Sequence, residues 1–146
     1  MHILFVCTGN TCRSPMAANI ANNFFARQGI SAVATSCGVY ASDNSPASPH
    51  ADAVMADMGL GASVHKARRA RREILASADY IITMTSGHKA HILTEHIEFA
   101  DKTHTLADLC GTTDITDPFG GNLAVYHACA AELKHCIESL DWRNMP

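Results

Sequence analysis

The sequence predicts an α/β fold, a three-layer sandwich in which helices flank a central four-stranded parallel sheet. Short β-rich segments alternate with longer amphipathic segments along the 146 residues, and this order is typical of a parallel sheet with crossover helices. The first strand is apolar on both faces, as expected for a buried parallel strand. The length fits a single domain over residues 1–146, with a core large enough to be stable without disulfide bonds.

Hydrophobic periodicity and turn signals predict the elements in chain order. A first strand over 2–6 leads into a helix that begins near Met16, with Ser14 as its cap and Gly29 at its end. The segments that follow are strand 31–37, helix 50–58, strand 80–84, helix 86–97, strand 103–106 and a last helix after Asn122. That helix is expected to bury one face, made of Val125, Cys129, Leu133, Cys136, Ile137 and Leu140.

Composition and charge exclude several classes of protein. The net charge of -3 argues against general nucleic-acid binding, and no apolar run reaches the roughly 18 residues of a membrane helix. No signal peptide is recognisable at the N-terminus. The six cysteines, at 7, 12, 37, 110, 129 and 136, are scattered unlike a disulfide framework, and the nine histidines show no zinc-ligand spacing. We therefore expect a cytoplasmic monomer without metal, cofactor, nucleic acid or membrane partner.

Five positive charges lie close together in Lys66, Arg68, Arg69, Arg71 and Arg72. They could form a docking patch for acidic or phosphorylated partners. The other interpretation is a solvated helix surface that leads into the apolar pair at 74–75, and the sequence favours this second interpretation.

One stretch near the N-terminus carries the strongest functional signal, Cys7-Thr8-Gly9-Asn10-Thr11-Cys12-Arg13-Ser14-Pro15. A strand enters a turn of small polar residues that leads into a helix, so backbone N–H groups and the helix dipole converge on one anion site. Arg13 adds a planar fork of donors that matches a phosphate. The same positive field is expected to hold Cys7 as a thiolate nucleophile.

Phosphoryl transfer also needs a proton for the leaving group, and Asp117 is the candidate source. Pro118 favours extended backbone at the preceding residue, which projects the carboxylate, and the glycines at 120–121 let the loop approach a substrate. The amides of residues 8–14 would hold the non-bridging oxygens. The residues thus permit attack by Cys7, stabilisation of charge by the loop, and proton transfer by Asp117, but the segment 117–121 by itself is often just a turn before a helix.

Cys-x5-Arg-Ser in this position resembles the active-site loop of the low-molecular-weight protein tyrosine phosphatases. The sequence from Val6 to Ala17 is most similar to the bacterial protein-arginine phosphatase branch of that family. The resemblance extends to the Asp-Pro-aromatic motif at 117–119 and covers most of the chain. It implies a cysteinyl-phosphate intermediate and phosphorylated proteins as substrates.

The resemblance also assigns supporting and binding residues. Asn10 and Ser14 match residues that brace the loop and hydrogen-bond the nucleophile, and Ser36 and His65 match a serine and a histidine of the same network. The catalytic residues expected from the family pattern are Cys7, Arg13 and Asp117. The expected substrate-binding residues are Thr8, Gly9, Asn10, Thr11, Cys12, Ser14 and Phe119.

The substrate depends on Thr11, which stands where tyrosine-specific members of the family carry a bulkier aliphatic side chain. Threonine leaves room and a hydroxyl beside the departing group, which suits a guanidinium better than a phenyl ring. Phe119 does not discriminate, because its face accepts either group. The sequence predicts phosphoarginine as the substrate, with phosphotyrosine as the alternative in the same mechanism.

Two other classes of function remain open. Related arsenate reductases use additional cysteines, but Cys129 and Cys136 are two helical turns apart, about 10 Å by helical rise, and are expected to be buried. A phosphate-binding module without activity would need neither Cys7 nor Asp117. Loss of aryl phosphate hydrolysis on Cys7→Ser would separate an enzyme from such a module. A reversible Cys7–Cys12 disulfide after peroxide is a further hypothesis.

Overall fold

A computed structural model describes residues 1–61 and 64–146, and this part of the chain contains one four-stranded sheet. Its strands are β1 (His2–Cys7), β2 (Val33–Gly38), β3 (Tyr80–Thr83) and β4 (Thr103–Thr105). They are all parallel and lie in the order β2-β1-β3-β4. The predicted four-stranded parallel sheet is therefore confirmed.

Helices connect the strands and begin where the sequence supplies capping side chains. The α-helices are α1 (Arg13–Gln28), α2 (Pro49–Asp57), α3 (Arg72–Ser77), α4 (Ser86–Glu95), α5 (Leu106–Cys110) and α6 (Leu123–Ser139), with 3-10 helices at Ile97–Lys102 and Trp142–Asn144. Four of them have a Ser, Thr or Asn cap that accepts a backbone N–H, at Ser48, Thr85, Thr105 and Asn122. In the described residues no helix combines the length and the apolar character that crossing a membrane requires.

Alternate residues of β1 bury against two different helical layers. Ile3 and Phe5 belong to a core shared with α1, α2, α5 and α6, whereas Leu4 and Val6 belong to a core shared with α3 and α4. All four side chains are fully buried, as expected for the central strand of a sheet covered on both faces. The three-layer sandwich is confirmed, and the carboxyl end of β1 lies at the middle of the sheet edge where parallel strands present functional loops.

Two predictions about local structure are wrong. Helix α1 begins at Arg13, and its N-cap is Cys12 without a side-chain bond, so Ser14 lies inside the helix instead of capping it. The Ser14 hydroxyl is occupied by the side chains of Cys7 and Asn10. The basic segment is not a helix surface either, because residues 64–71 are non-helical and α3 starts only at Arg72.

The basic segment instead runs beside the end of β2. Gly38 donates its N–H to the Arg68 carbonyl and accepts the N–H of Ala70, and it forms a parallel bridge with Arg69. A side chain at Gly38 has no room, since a Cβ there would lie 2.5 Å from the Thr8 carbonyl oxygen. Glycine thus lets the end of β2 pack directly against the loop that follows β1.

The remaining differences lie near the C-terminus. The strand predicted over 103–106 ends at Thr105, because that residue caps α5 by accepting the N–H of Asp108. In α6, Val125 is half-exposed and Tyr126 is buried in its place. The other members of the predicted face from Cys129 to Ile137 are buried.

Candidate active site

The loop after β1 encloses a small cavity that brings together residues far apart in the sequence. The cavity has a volume of about 160 Å³, and its lining consists of Cys7, Thr8, Gly9, Thr11, Cys12, Arg13, Asp117 and Phe119. Two larger surface grooves, of about 360 and 330 Å³, are lined by neither Cys7 nor Asp117. The small cavity is therefore the place where the candidate nucleophile and the candidate acid can meet one substrate.

Asn10 holds the shape of the loop from inside. It is fully buried and has a φ of 56°, in the left-handed region that asparagine tolerates better than most residues. Its Nδ2 donates to Ser14 Oγ at 2.8 Å and to Ser36 Oγ at 2.9 Å. Its Oδ1 accepts the backbone N–H of Arg68 at 3.0 Å, and its backbone carbonyl accepts from His65 Nε2 at 2.6 Å. The structure thus places Asn10, Ser14, Ser36 and His65 in one network.

The candidate nucleophile lies at the end of β1 against Ser14. Cys7 is 2% exposed, and its Sγ is 2.8 Å from Ser14 Oγ, which also lies 3.3 Å from the Cys37 carbonyl. Ser14 has one hydroxyl hydrogen, so it can donate to Cys37 while Cys7 is a thiol and to Sγ when Cys7 is a thiolate. The hydroxyl is therefore placed to follow the protonation state of the sulfur.

The electrostatics of Cys7 differ from the sequence prediction. Burial raises the pKa of the Cys7 thiol, and this effect is larger than the lowering by the Ser14 side chain, by the backbone N–H groups of Ser14 and Asn10, and by the charge of Arg13. The net direction is upward, opposite to the thiolate predicted for the resting loop. The Ser14 hydroxyl, the two backbone N–H groups and Arg13 still stabilise the negative charge on the sulfur when Cys7 loses its proton.

Arg13 is anchored along the wall of the cavity. Its side chain is 6% exposed, and Nη1 donates to the Ile115 carbonyl at 2.9 Å. Its Nη2 donates to Thr8 Oγ1 at 3.3 Å and lies 3.5 Å from Asp117 Oδ2. These contacts connect the first helical residue of α1 to the loop that precedes α6.

Asp117 and Phe119 form the open side of the cavity. The Asp117 side chain is 51% exposed, and its Oδ1 accepts the backbone N–H of Phe119 at 3.1 Å. Phe119 is 80% exposed, which leaves its ring free to contact a substrate. Gly120 has a φ of 81°, so the turn behind Phe119 uses a conformation that suits glycine. Asp117 can thus reach a bound group without being removed from solvent.

Thr11 and Cys12 complete the lining of the cavity. The Thr11 hydroxyl is 3.7 Å from Cys12 Sγ, and Cys12 Sγ is 3.3 Å from the Tyr126 hydroxyl on α6. Ser48 fixes the Thr11 backbone by donating its N–H to the Thr11 carbonyl at 2.9 Å. Cys7 and Cys12 are both free thiols, so a regulatory disulfide between them stays a prediction.

Sequence reasoning missed two residues that contact this site. Arg68 donates its backbone N–H to Asn10 and its Nε to the Ser36 carbonyl, although its segment was assigned to the surface. His88 is buried and lies 2.8 Å from Thr8 Oγ1 through its Nε2. The signal for His88 was its position at the start of the helix after β3, because the carboxyl ends of parallel strands share one edge of the sheet.

The positions of Cys110, Cys129 and Cys136 bear on the alternative chemistry, because none of the three lines the cavity. Cys129 Sγ is 4.0 Å from the Thr116 carbonyl, whereas Cys136 Sγ is 2.6 Å from Cys110 Sγ. Cys129 and Cys136 are both buried on α6, as expected. Within residues 1–61 and 64–146, no three or more His, Cys, Asp or Glu residues are grouped to hold a metal ion.

Comparison with known proteins identifies the family. The family model described as low molecular weight phosphotyrosine protein phosphatase matches residues 2–143. The chain belongs to this family. It is 44% identical over 140 residues to a protein-arginine-phosphatase from Geobacillus stearothermophilus, an alignment that covers 94% of this chain and 92% of that protein.

Solved structures of phosphatases in this family share the fold. A low molecular weight protein tyrosine phosphatase from T. tengcongensis has a TM-score of 0.91 at 41% identity, over 94% of this chain and 95% of that chain. A mutant of YwlE arginine phosphatase with a phosphorylated active-site serine has a TM-score of 0.89 at 36% identity, over 94% of this chain and 91% of that chain. Both names describe protein phosphatases, and the protein described here is a phosphatase of the same low-molecular-weight family.

The Ser14→Ala variant tests the electrostatic role of the Ser14 hydroxyl. The hydroxyl lowers the pKa of Cys7, so its removal disfavours the thiolate and raises that pKa further. The pH dependence of Cys7 alkylation by iodoacetamide should therefore move to higher pH, because the thiolate is the form that reacts. Peptide mass spectrometry follows the alkylation at Cys7.

The matched control for this variant is Ser36→Ala. The Ser36 hydroxyl contacts Asn10, and the lowering of the Cys7 pKa is assigned to other groups. Its alkylation profile should shift less than that of Ser14→Ala. An unchanged profile for Ser14→Ala, or a larger shift for Ser36→Ala, would contradict the role given to Ser14.

Proposed function

We propose that this phosphatase hydrolyses phosphoarginine side chains of proteins through a cysteinyl-phosphate intermediate on Cys7. The observation that carries the proposal is the single cavity of about 160 Å³ that unites Cys7, Arg13 and Asp117. These groups supply the nucleophile, the charge stabilisation and the proton that transfer of a phosphoryl group requires.

In the first step the phosphoryl group lies in the loop with its phosphorus in line with Cys7 Sγ. The backbone N–H groups of residues 8–14 and the Arg13 guanidinium bind the non-bridging oxygens. The Cys7 thiol proton passes to a non-bridging oxygen of the bound phosphoryl dianion, and Ser14 turns its hydroxyl hydrogen from the Cys37 carbonyl to the sulfur as the thiolate forms. The loop thus stabilises the Cys7 thiolate next to the phosphorus that it attacks.

Asp117 protonates the departing group. Its carboxyl lies on the open side of the cavity, where Oδ2 is 3.5 Å from Arg13 Nη2, and the exposed Phe119 follows two residues later. For phosphoarginine the bond that breaks joins phosphorus to a guanidino nitrogen, and a proton from Asp117 on that nitrogen lets arginine leave as a guanidinium cation instead of a strongly basic neutral guanidine. Asp117 then takes a proton from the water that hydrolyses the cysteinyl-phosphate.

Thr11 supports phosphoarginine as the substrate. Its side chain lines the cavity beside Cys7, where a hydroxyl and a small volume favour a polar guanidinium over a phenyl ring. The relative from Geobacillus stearothermophilus is named a protein-arginine-phosphatase, and YwlE is named an arginine phosphatase. The phosphorylated active-site serine of the YwlE mutant supports a covalent intermediate at the position of the nucleophile.

Phosphotyrosine is the alternative substrate, since the T. tengcongensis structure is named a protein tyrosine phosphatase at 41% identity. The mechanism at Cys7, Arg13 and Asp117 would be the same. Arsenate reduction has less support, because Cys110, Cys129 and Cys136, the cysteines that could pass electrons to Cys7, do not line its cavity, and Cys129 and Cys136 contact other residues and not each other.

The Asp117→Asn variant tests the role of the acid. An amide cannot donate the proton that the leaving group needs, so we expect kcat to fall by about 10²- to 10⁴-fold on a phosphoarginine peptide. The matched control is Asp114→Asn, because Asp114 lies in the same loop but accepts from Ser86 outside the cavity. Steady-state kinetics on both variants measure the effect, and equal losses would contradict the assignment.

The Thr11→Ile variant tests the choice of substrate. A branched aliphatic side chain makes this wall of the cavity apolar and leaves less room. We therefore expect kcat/KM for phosphoarginine peptides to fall, and the ratio of kcat/KM for phosphotyrosine to that for phosphoarginine to rise. A change of one or two methyl-sized groups in such a pocket corresponds to roughly 10- to 200-fold in the ratio.

The matched control for Thr11→Ile is Thr113→Ile, which makes the same change on an exposed residue outside the cavity. Its ratio of the two kcat/KM values should equal that of the wild type. A wild type that prefers phosphotyrosine, or a ratio unchanged by Thr11→Ile, would overturn the proposed substrate.

A further inference from the structure

A buried histidine lies directly behind the catalytic cavity, on the far side of Thr8. His88 is 7% exposed and does not line the cavity. Its Nε2 is 2.8 Å from Thr8 Oγ1, and Thr8 Oγ1 in turn accepts from Arg13 Nη2 at 3.3 Å. A continuous chain of polar contacts therefore runs from His88 through Thr8 to the arginine that we assign to phosphate binding.

The orientation of the His88 ring is set by the start of α4. Thr85 is the N-cap of this helix, and its Oγ1 accepts the backbone N–H of His88 at 3.2 Å. The same Oγ1 lies 3.0 Å from His88 Nδ1. Because Nδ1 is engaged by the cap, the ring can present only its Nε2 to Thr8.

The ring is neutral at the pH where the enzyme would work. Burial, and after it the positive charge of Arg13, lower the pKa of His88 to about 4, although the Asp117 and Asp114 carboxylates act in the opposite direction. A neutral imidazole has one N–H donor and one acceptor, and hydroxyls at Thr8 and Thr85 can match either arrangement. Both ring nitrogens are thus satisfied without placing a second cation next to Arg13.

The Thr8 backbone does not depend on His88. Its carbonyl accepts the N–H of Tyr40 at 2.9 Å, and the preceding carbonyl of Cys7 accepts the N–H of Val39 at 2.9 Å. The loop at Thr8 is therefore tied to the end of β2 independently of α4. His88 instead contacts the Thr8 hydroxyl, which is also one contact of the Arg13 guanidinium.

We propose that His88 is a positioning residue that fixes the Thr8 hydroxyl, and through it the Arg13 guanidinium, in the orientation that a bound phosphoryl group requires. The proposal rests on the proposed function for its kinetic consequences, since Arg13 is assigned there to the non-bridging oxygens. The competing explanation is that His88 is an ordinary core histidine whose polar atoms are merely satisfied. The two explanations predict different effects of a His88 substitution on kcat/KM in a protein whose residue 8 has no hydroxyl.

Two substitutions of His88 separate its two contacts. Glutamine can place a polar atom near the position of Nε2 and keep the contact with Thr8, whereas asparagine reaches only the position of Nδ1 and keeps the contact with Thr85. We expect His88→Asn to lower kcat/KM by about tenfold or more, because misplacing a group that orients the substrate can cost up to about 10²-fold. His88→Gln should retain most of the activity. Similar losses in both variants would overturn the proposal.

A double-mutant cycle with Thr8→Val tests whether His88 acts through Thr8. Valine has the shape of threonine but no hydroxyl, so the chain of contacts is already broken in that background. His88→Asn should then cause little further loss of kcat/KM, because residues in one network are not additive. An equal loss in both backgrounds would show that His88 acts by another route. Thermal unfolding of each variant measures any general effect on the fold.

Binding of inorganic phosphate gives a readout that does not depend on turnover. Isothermal titration calorimetry with phosphate should show weaker binding for His88→Asn than for His88→Gln, with the difference absent in the Thr8→Val background. If the variants show this pattern of phosphate binding but the wild type hydrolyses neither phosphoarginine nor phosphotyrosine, the proposed function fails while the positioning role stands. If phosphate binding is equal in both His88 variants, the positioning role fails.

Discussion

The conformation of the active-site loop depends on the hydrogen bonds of the buried residue Asn10. Its amide joins Ser14 and Ser36, and its two carbonyl oxygens accept from Arg68 and His65. One residue in left-handed backbone thereby connects the loop after β1, the strand β2 and the segment before α3. Buried polar groups are costly unless each is paired, so a fully satisfied network of this kind favours one loop conformation over others.

Around this frame, the loop combines two opposing effects on its nucleophile. Burial of Cys7 raises its pKa, and the hydroxyl, amides and guanidinium that surround it act in the opposite direction. The loop therefore shields the sulfur of Cys7, which is 2% exposed, from bulk solvent while keeping donors directed at the place where negative charge develops. Arg13 is held by Ile115 and Thr8 before any substrate arrives, so little rearrangement is needed for it to bind a phosphoryl group.

The sequence was sufficient for the features that depend on local pattern. The parallel sheet and the loop that carries Cys7 and Arg13 follow from strand periodicity, turn residues and a motif at fixed spacing, whereas Asp117 was singled out by the resemblance of its Asp-Pro-aromatic motif to the family's acid loop. The role of Arg68 was not predictable, because charge density alone says nothing of a path fixed by hydrogen bonds to Gly38. The contact between Thr8 and His88 joins residues 80 positions apart, and the direction of the Cys7 pKa depends on burial that only the packed structure reveals.

The central claim is that the phosphoryl group passes to Cys7 during turnover. Rapid mixing with a phosphoarginine peptide, quenching within the first turnover and mass spectrometry of the digested protein test it most directly. The account predicts a transient gain of one phosphoryl group on the peptide that contains Cys7, with neither the gain nor turnover in Cys7→Ala. Turnover without a phosphorylated Cys7 peptide, or a phosphoryl group trapped on another residue, would contradict it.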